Sequence, residues 1–177
     1  MKFIKILCFL LVFGIAKISA QEITGAQIQV SGLTCSMCTQ ATEKSLRTLD
    51  FIGEIKTDLN KNQFDVTFQK GKKVNLDLVR TKVEDAGFSV GGLTANFVFN
   101  NAVVDAQGQS LTDGNVYRFT NVKGKTLNGP VKATIIDKNF LSPSAFKKKV
   151  NQVKSDAYLT GSASVNGKKT RVYHLSI

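Results

Sequence analysis

Gly32-Leu33-Thr34-Cys35-Ser36-Met37-Cys38, GLTCSMC, separates two kinds of sequence. Upstream, Ala26-Gln27-Ile28-Gln29-Val30 alternates as a half-buried strand does. Downstream, from Ser36, the pattern turns helical. Cys38, Ala41, Ser45, Leu46 and Leu49 fall on one face, with Glu43, Lys44 and Arg47 turned away. Further on, Ile52 to Leu59 reads as a strand and Lys61-Asn62 as a turn. Phe64, Val66 and Phe68 then alternate with Asp65 and Thr67 as the hairpin partner. Asn75 is placed to cap a second helix whose buried stripe is Leu76, Val79, Val83 and Ala86, with Glu84, Asp85 and Asp77 on its solvated face. Gly87 ends that helix, and Phe88-Ser89-Val90 is a short closing strand. The order β-α-β-β-α-β predicts an α+β, ferredoxin-like domain with both helices on one face of an antiparallel sheet.

The junction has chemical consequences. Cys35 falls on the loop and Cys38 in the first helical turn, where unpaired backbone N–H groups and the positive end of the helix dipole favour negative charge. Both effects enrich the thiolate, the form that binds metal or attacks disulfides. Gly32 lets the loop turn closely. Three readings of the pair stand at this point: a metal clamp, a redox couple and a structural disulfide.

GLTCSMC, the helix through Leu46 and Leu49, the strand pair and Glu84-Asp85-Ala86-Gly87-Phe88-Ser89-Val90 together resemble the heavy-metal-associated domain, over about Ile23 to Leu93. That family occurs in copper chaperones, in the N-terminal modules of copper-transporting P-type ATPases and in periplasmic mercury-binding proteins. The resemblance implies that Cys35 and Cys38 bind the metal. It also implies that Leu33 packs under the metal loop, where relatives usually carry Met, and that Phe88 shields the site. Two thiolates suit a soft ion of low coordination, so Cu(I) ranks first and Hg(II) next. Zn(II) needs ligands from elsewhere, because structural zinc takes four. Met37 is more simply a solvent-facing or docking residue than a third ligand. His174, on an alternating strand, reads as a partly buried strand residue rather than a ligand. The implied role is a metallochaperone or metal-sequestering protein that is not an enzyme. Its implied partners are metal donor or acceptor proteins of the cell envelope.

The chain has 177 residues and three cysteines. Residues 1–20 read as a cleavable signal peptide: a basic start, an apolar run from Ile6 to Ala16, and a cut near Ala20. The run is too short to span a bilayer. The mature chain is then exported, periplasmic or secreted, and keeps Cys35 and Cys38, too few for a disulfide scaffold. Residues 21–93 carry nine basic and nine acidic side chains; residues 94–177 carry twelve and four. That shift, near Gly91-Gly92, suggests a second, basic domain over 94–177. Strand-like runs Phe97–Val104, Val116–Phe119, Val131–Ile136, Tyr158–Val165 and Thr170–Ser176, a short helix at Ser144–Gln152 and an Asn166-Gly167 hairpin turn predict a small β-rich barrel or sandwich, possibly OB-like.

Two rival functions follow from the same residues. A thiol-disulfide redox protein also places CxxC at a helix start, but Trp is absent and Pro130 and Pro143 lie outside the first domain. An OB-like basic domain suggests nucleic acid, which an exported protein is not expected to meet. Docking on an acidic partner or an anionic envelope surface fits that charge better.

Overall fold

The structure is a computed structural model describing residues 21–153, 155–165 and 167–177. The expected signal peptide and Asn166 lie outside the described residues. Strand β1 (Glu22–Ser31) leads through the cysteine loop into α1 (Ser36–Leu46). Then come β2 (Ile52–Asp58), β3 (Gln63–Phe68), α2 (Leu76–Asp85) and β4 (Ser89–Val104). The order is the one the hydrophobic periodicity predicts. β1 pairs antiparallel with β3 and β4, and β2 with β3. Ile28, Phe64, Leu46, Val79, Val83 and Leu93 are at most 1% exposed and form the helix-on-sheet core.

Local chemistry fixes the helix ends. Asn75 accepts the backbone N–H groups of Asp77 and Leu78 at the start of α2. Gly87 stops that helix at φ +90°, a conformation costly for any residue with a Cβ. α1 is rotated from its expected setting: Thr39 and Thr42 are buried, and Ala41 is exposed. The Thr39 and Thr42 hydroxyls donate to the carbonyls of Cys35 and Cys38. Once those polar atoms are satisfied, the threonine methyls pack as small apolar groups.

β4 is where structure and sequence part most. The short closing strand and the run at Phe97–Val104 are one strand of 16 residues. Its far edge pairs with β7 (Lys125–Ile135) from Thr94↔Thr134 to Val104↔Lys125. Asn101, at φ 51°, lies in the register shift between Phe99 and Ala102. The composition change near Gly91-Gly92 therefore falls inside a strand. β5 (Gln109–Thr112), β6 (Asn115–Phe119) and β9 (Lys168–Ser176) continue the same sheet, in the order β2-β3-β1-β4-β7-β9-β6-β5. The expected barrel or sandwich is not a separate sheet: its strands join the first half's sheet through β4. The second half extends the first half's sheet because β4 offers β7 the edge that β1 does not use, and the added strands curl until the β4 rings Phe97 and Phe99 meet Tyr117 and Phe119 of β6. β6 and β9 run parallel, Val116↔Val172 to Phe119↔Leu175. β8 (Ser162–Val165) pairs with β9 on either side of Asn166-Gly167. Tyr158, expected in a strand, belongs to α4 (Asp156–Thr160), which follows α3 (Pro143–Val150).

The core is correspondingly continuous. Ring contacts run Phe119–Phe99–Phe97–Tyr117–Tyr173–Phe140 with centroid separations of 5.6–6.4 Å. No helix among the described residues is long and apolar enough to cross a membrane.

Candidate metal centre

The cysteine loop is held from three sides. Val30 N–H donates to the Asn62 carbonyl at 2.9 Å, tying the end of β1 to the β2–β3 turn. Leu33, 7% exposed, plugs into the core beneath the loop. Gly32 takes φ +93°, and a Cβ there would meet the Phe88 ring at 3.5 Å. The loop thus reverses next to the residue that follows α2, which puts Phe88 beside the site.

Cys35 is the N-cap of α1. Its sulfur accepts the Cys38 backbone N–H at 3.3 Å and lies 2.6 Å from the Cys38 sulfur. Both cysteines are free, Cys35 exposed and Cys38 half-buried against the core. The hydrogen bond from the Cys38 side chain, then that from its backbone N–H, holds the Cys35 thiol below its ordinary pKa. Slight burial opposes this, and the Met37 N–H assists. The first turn of α1 carries no carboxylate, so nothing competes with the sulfurs for the positive end of the helix. Among the described residues no cluster of three or more Cys, His, Asp or Glu could hold a metal. The candidate ligand set is therefore the two sulfurs, close enough for one ion to reach both.

The rim is apolar and open. Met37 is 78% exposed and Leu59 59%. Leu59, Asn62, Thr34 and Cys35 border a shallow depression of about 250 Å³. Leu59 was not singled out by periodicity, because it follows β2; only the hairpin brings it to the loop. His174 lies elsewhere and is fully buried, where partial burial is expected from its alternating strand. Its Nδ1 is 2.7 Å from Asp137 Oδ1, and its ring meets Tyr158 edge-on. Asp77 also departs from expectation: it is not on a solvated face but receives Arg171 Nε at 2.8 Å, Arg171 Nη2 at 3.1 Å and the Tyr173 hydroxyl at 2.8 Å.

Residues 27–89 match the family described as the heavy-metal-associated domain. The chain is 32% identical over 63 residues to a copper chaperone CopZ of Staphylococcus haemolyticus, covering 36% of this chain and 91% of that protein. It is 35% identical over 66 residues to a probable copper-transporting ATPase of Arabidopsis thaliana, covering 37% of this chain but only 6% of the ATPase. Among solved structures, a CopZ metallochaperone aligns at 27% identity over 40% of this chain and 98% of its own, with a TM-score of 0.34. The yeast copper transporter domain Ccc2a aligns at 31% identity over 37% and 88%, with a TM-score of 0.34. By its matching residues and its coverage of the CopZ chaperone, this chain belongs, through residues 27–89, to the heavy-metal-associated domain family.

Proposed function

We propose that the protein binds a single Cu(I) between the Cys35 and Cys38 thiolates and passes it to a partner. The observation that carries this reading is the two-sulfur site at the start of α1, with no third ligand grouped near it among the described residues. Soft thiolates in low number favour Cu(I) over Zn(II), which takes four ligands in structural sites. The similarity to proteins described as copper chaperones supports the same ion. Hg(II) satisfies the same softness rule and is the second choice.

Transfer is ligand exchange. A partner's thiolate or thioether forms a third bond to the ion, and the bond to Cys35 or Cys38 then breaks. The ion stays Cu(I), no electron moves, and the released thiolate takes a proton from solvent. The exposed Cys35 and bare rim at Met37 and Leu59 leave room for the incoming sulfur. The partners are copper donors and acceptors. The leader-like residues 1–20 support a role outside the cytoplasm.

The test is anaerobic Cu(I) titration of reduced protein against a competing chelator. One ion per chain is expected, with retention lost in Cys35→Ser and in Cys38→Ser. Retention by either variant equal to that of the native chain refutes the assignment. A disulfide couple as oxidising as about −120 mV would favour the redox reading instead.

A further inference from the structure

The second half is more than basic: its lysines are unspent. In the first half Lys56, Lys61, Lys72 and Lys82 each pair with a carboxylate. Among the described residues, no lysine after position 94 does. Of the four carboxylates there, Asp137 is buried against His174 and Arg171, and Asp105 is turned into its own loop. Part of this charge lies beside an apolar spot. α3 carries Lys147, Lys148 and Lys149 in its last turn and buries none of its residues. Its half-exposed Val150, with Val153, borders a trough of about 520 Å³ together with Leu159, which is 56% exposed. Leu159 also edges a neighbouring depression that includes Lys138, Lys169 and Arg80. Asp156 is the one carboxylate in the trough.

We propose that this α3–α4 face docks on an anionic phospholipid surface, with Leu159, Val150 and Val153 entering the headgroup boundary and the lysines on the phosphates. An apolar patch with lysines beside it is the pattern of an interfacial element. The free cations there are lysines, mobile point charges suited to fluid headgroups; Arg80 is already paired with Glu84. The neighbouring depression is bordered by Asp77 and Arg80 near the start of α2, whereas the metal loop abuts Phe88 just past its end. α2 has 10 residues, so the two sites lie roughly 15 Å apart along it.

This docking goes beyond the metal reading and does not need it. The test is co-sedimentation of residues 21–177, which contain every described element, with vesicles of phosphatidylglycerol and phosphatidylcholine or of phosphatidylcholine alone. Binding is expected only to the anionic vesicles, and is lost at 1 M salt. Replacing Lys147, Lys148 and Lys149 together by Gln should weaken it roughly a hundredfold. Leu159→Ser should weaken it while leaving soluble polyglutamate binding unchanged. Cys35→Ser should bind vesicles as the native chain does, which separates this proposal from the copper assignment. Equal binding to neutral vesicles, no loss in the triple variant, or no effect of Leu159→Ser overturns it; the last result would favour an acidic protein partner.

Discussion

The Cys35 sulfur accepts from the Cys38 side chain and from the Cys38 N–H, and the first of these does most to lower its pKa. Below its pKa a thiol is protonated, so the shift extends the Cys35 thiolate to lower pH than an ordinary cysteine allows. Alkylation by iodoacetamide, followed by peptide mass mapping across pH, should show Cys35 reacting with a midpoint below that of an ordinary cysteine. Cys38→Ala keeps the backbone N–H but removes the larger cause, so the midpoint should move up toward the free thiol. An unchanged midpoint would mean that the helix start alone activates Cys35. Both cysteines were legible in the sequence as a candidate site because a CxxC at a strand-to-helix junction has few structural uses. Thr39 and Thr42 were not. A threonine reads as polar until its hydroxyl finds the carbonyl four residues back, and only then can it face the core.

Elements obey the same distinction between local and distant causes. α2 was legible end to end: the Asn75 cap, the Leu76–Val79–Val83 stripe and the Gly87 stop are all local. The use of Asp77 was not, because its partners Arg171 and Tyr173 are 94 and 96 residues away. Arg171 grips both Asp77 oxygens, stacks 4.0 Å over the Tyr173 ring and reaches Asp137 Oδ2 at 3.2 Å. Burial alone would push the Asp77 carboxyl up; the hydrogen bonds and charge of Arg171 outweigh it, and the carboxyl ends below its ordinary pKa. A depressed pKa in the fold means stability that is present above about pH 3.9 and is lost as pH falls through the folded value. Asp77→Asn should therefore cost about 2 kcal/mol near neutrality, with the gap to the native chain closing below about pH 4. Urea unfolding at neutral and acid pH measures both. A gap that stays constant with pH would assign the loss to packing rather than charge. The merged β4 escaped for a related reason. Gly91-Gly92 reads as a break, whereas the strand passes through, paired with β1 at Gly92 and joined by β7 from Thr94 on.

At the scale of the whole molecule, that shared strand decides how the chain unfolds. Thr94 to Val98 pair with β1 on one side and β7 on the other, so the two halves have no independent sheets. Phe97, fully buried, touches both Phe99 and Tyr117, and the Asp77–Arg171 clasp ties α2 to β9. Opening either half strips the other of a strand edge and of the Asp77–Arg171 clasp. Residues 21–177 should then lose structure in one transition, although the composition divides near position 93. The three tyrosines, Tyr117, Tyr158 and Tyr173, all lie in the second half, and Trp is absent. Tyrosine emission therefore reports that half alone, while amide exchange at Ile28 and Phe64 reports the first. Coincident urea midpoints by both probes are expected, which is the mark of a two-state change. Severing the chain between Leu93 and Thr94 should be asymmetric. Residues 21–93 keep both helices and four paired strands and should still fold, less stably. Residues 94–177 lose the clasp and expose the β1-facing edge of β4, so they should show no cooperative transition on their own. Two separated midpoints in the intact chain, or a cooperatively folding 94–177 fragment, would mean that the continuous sheet joins two units without coupling them.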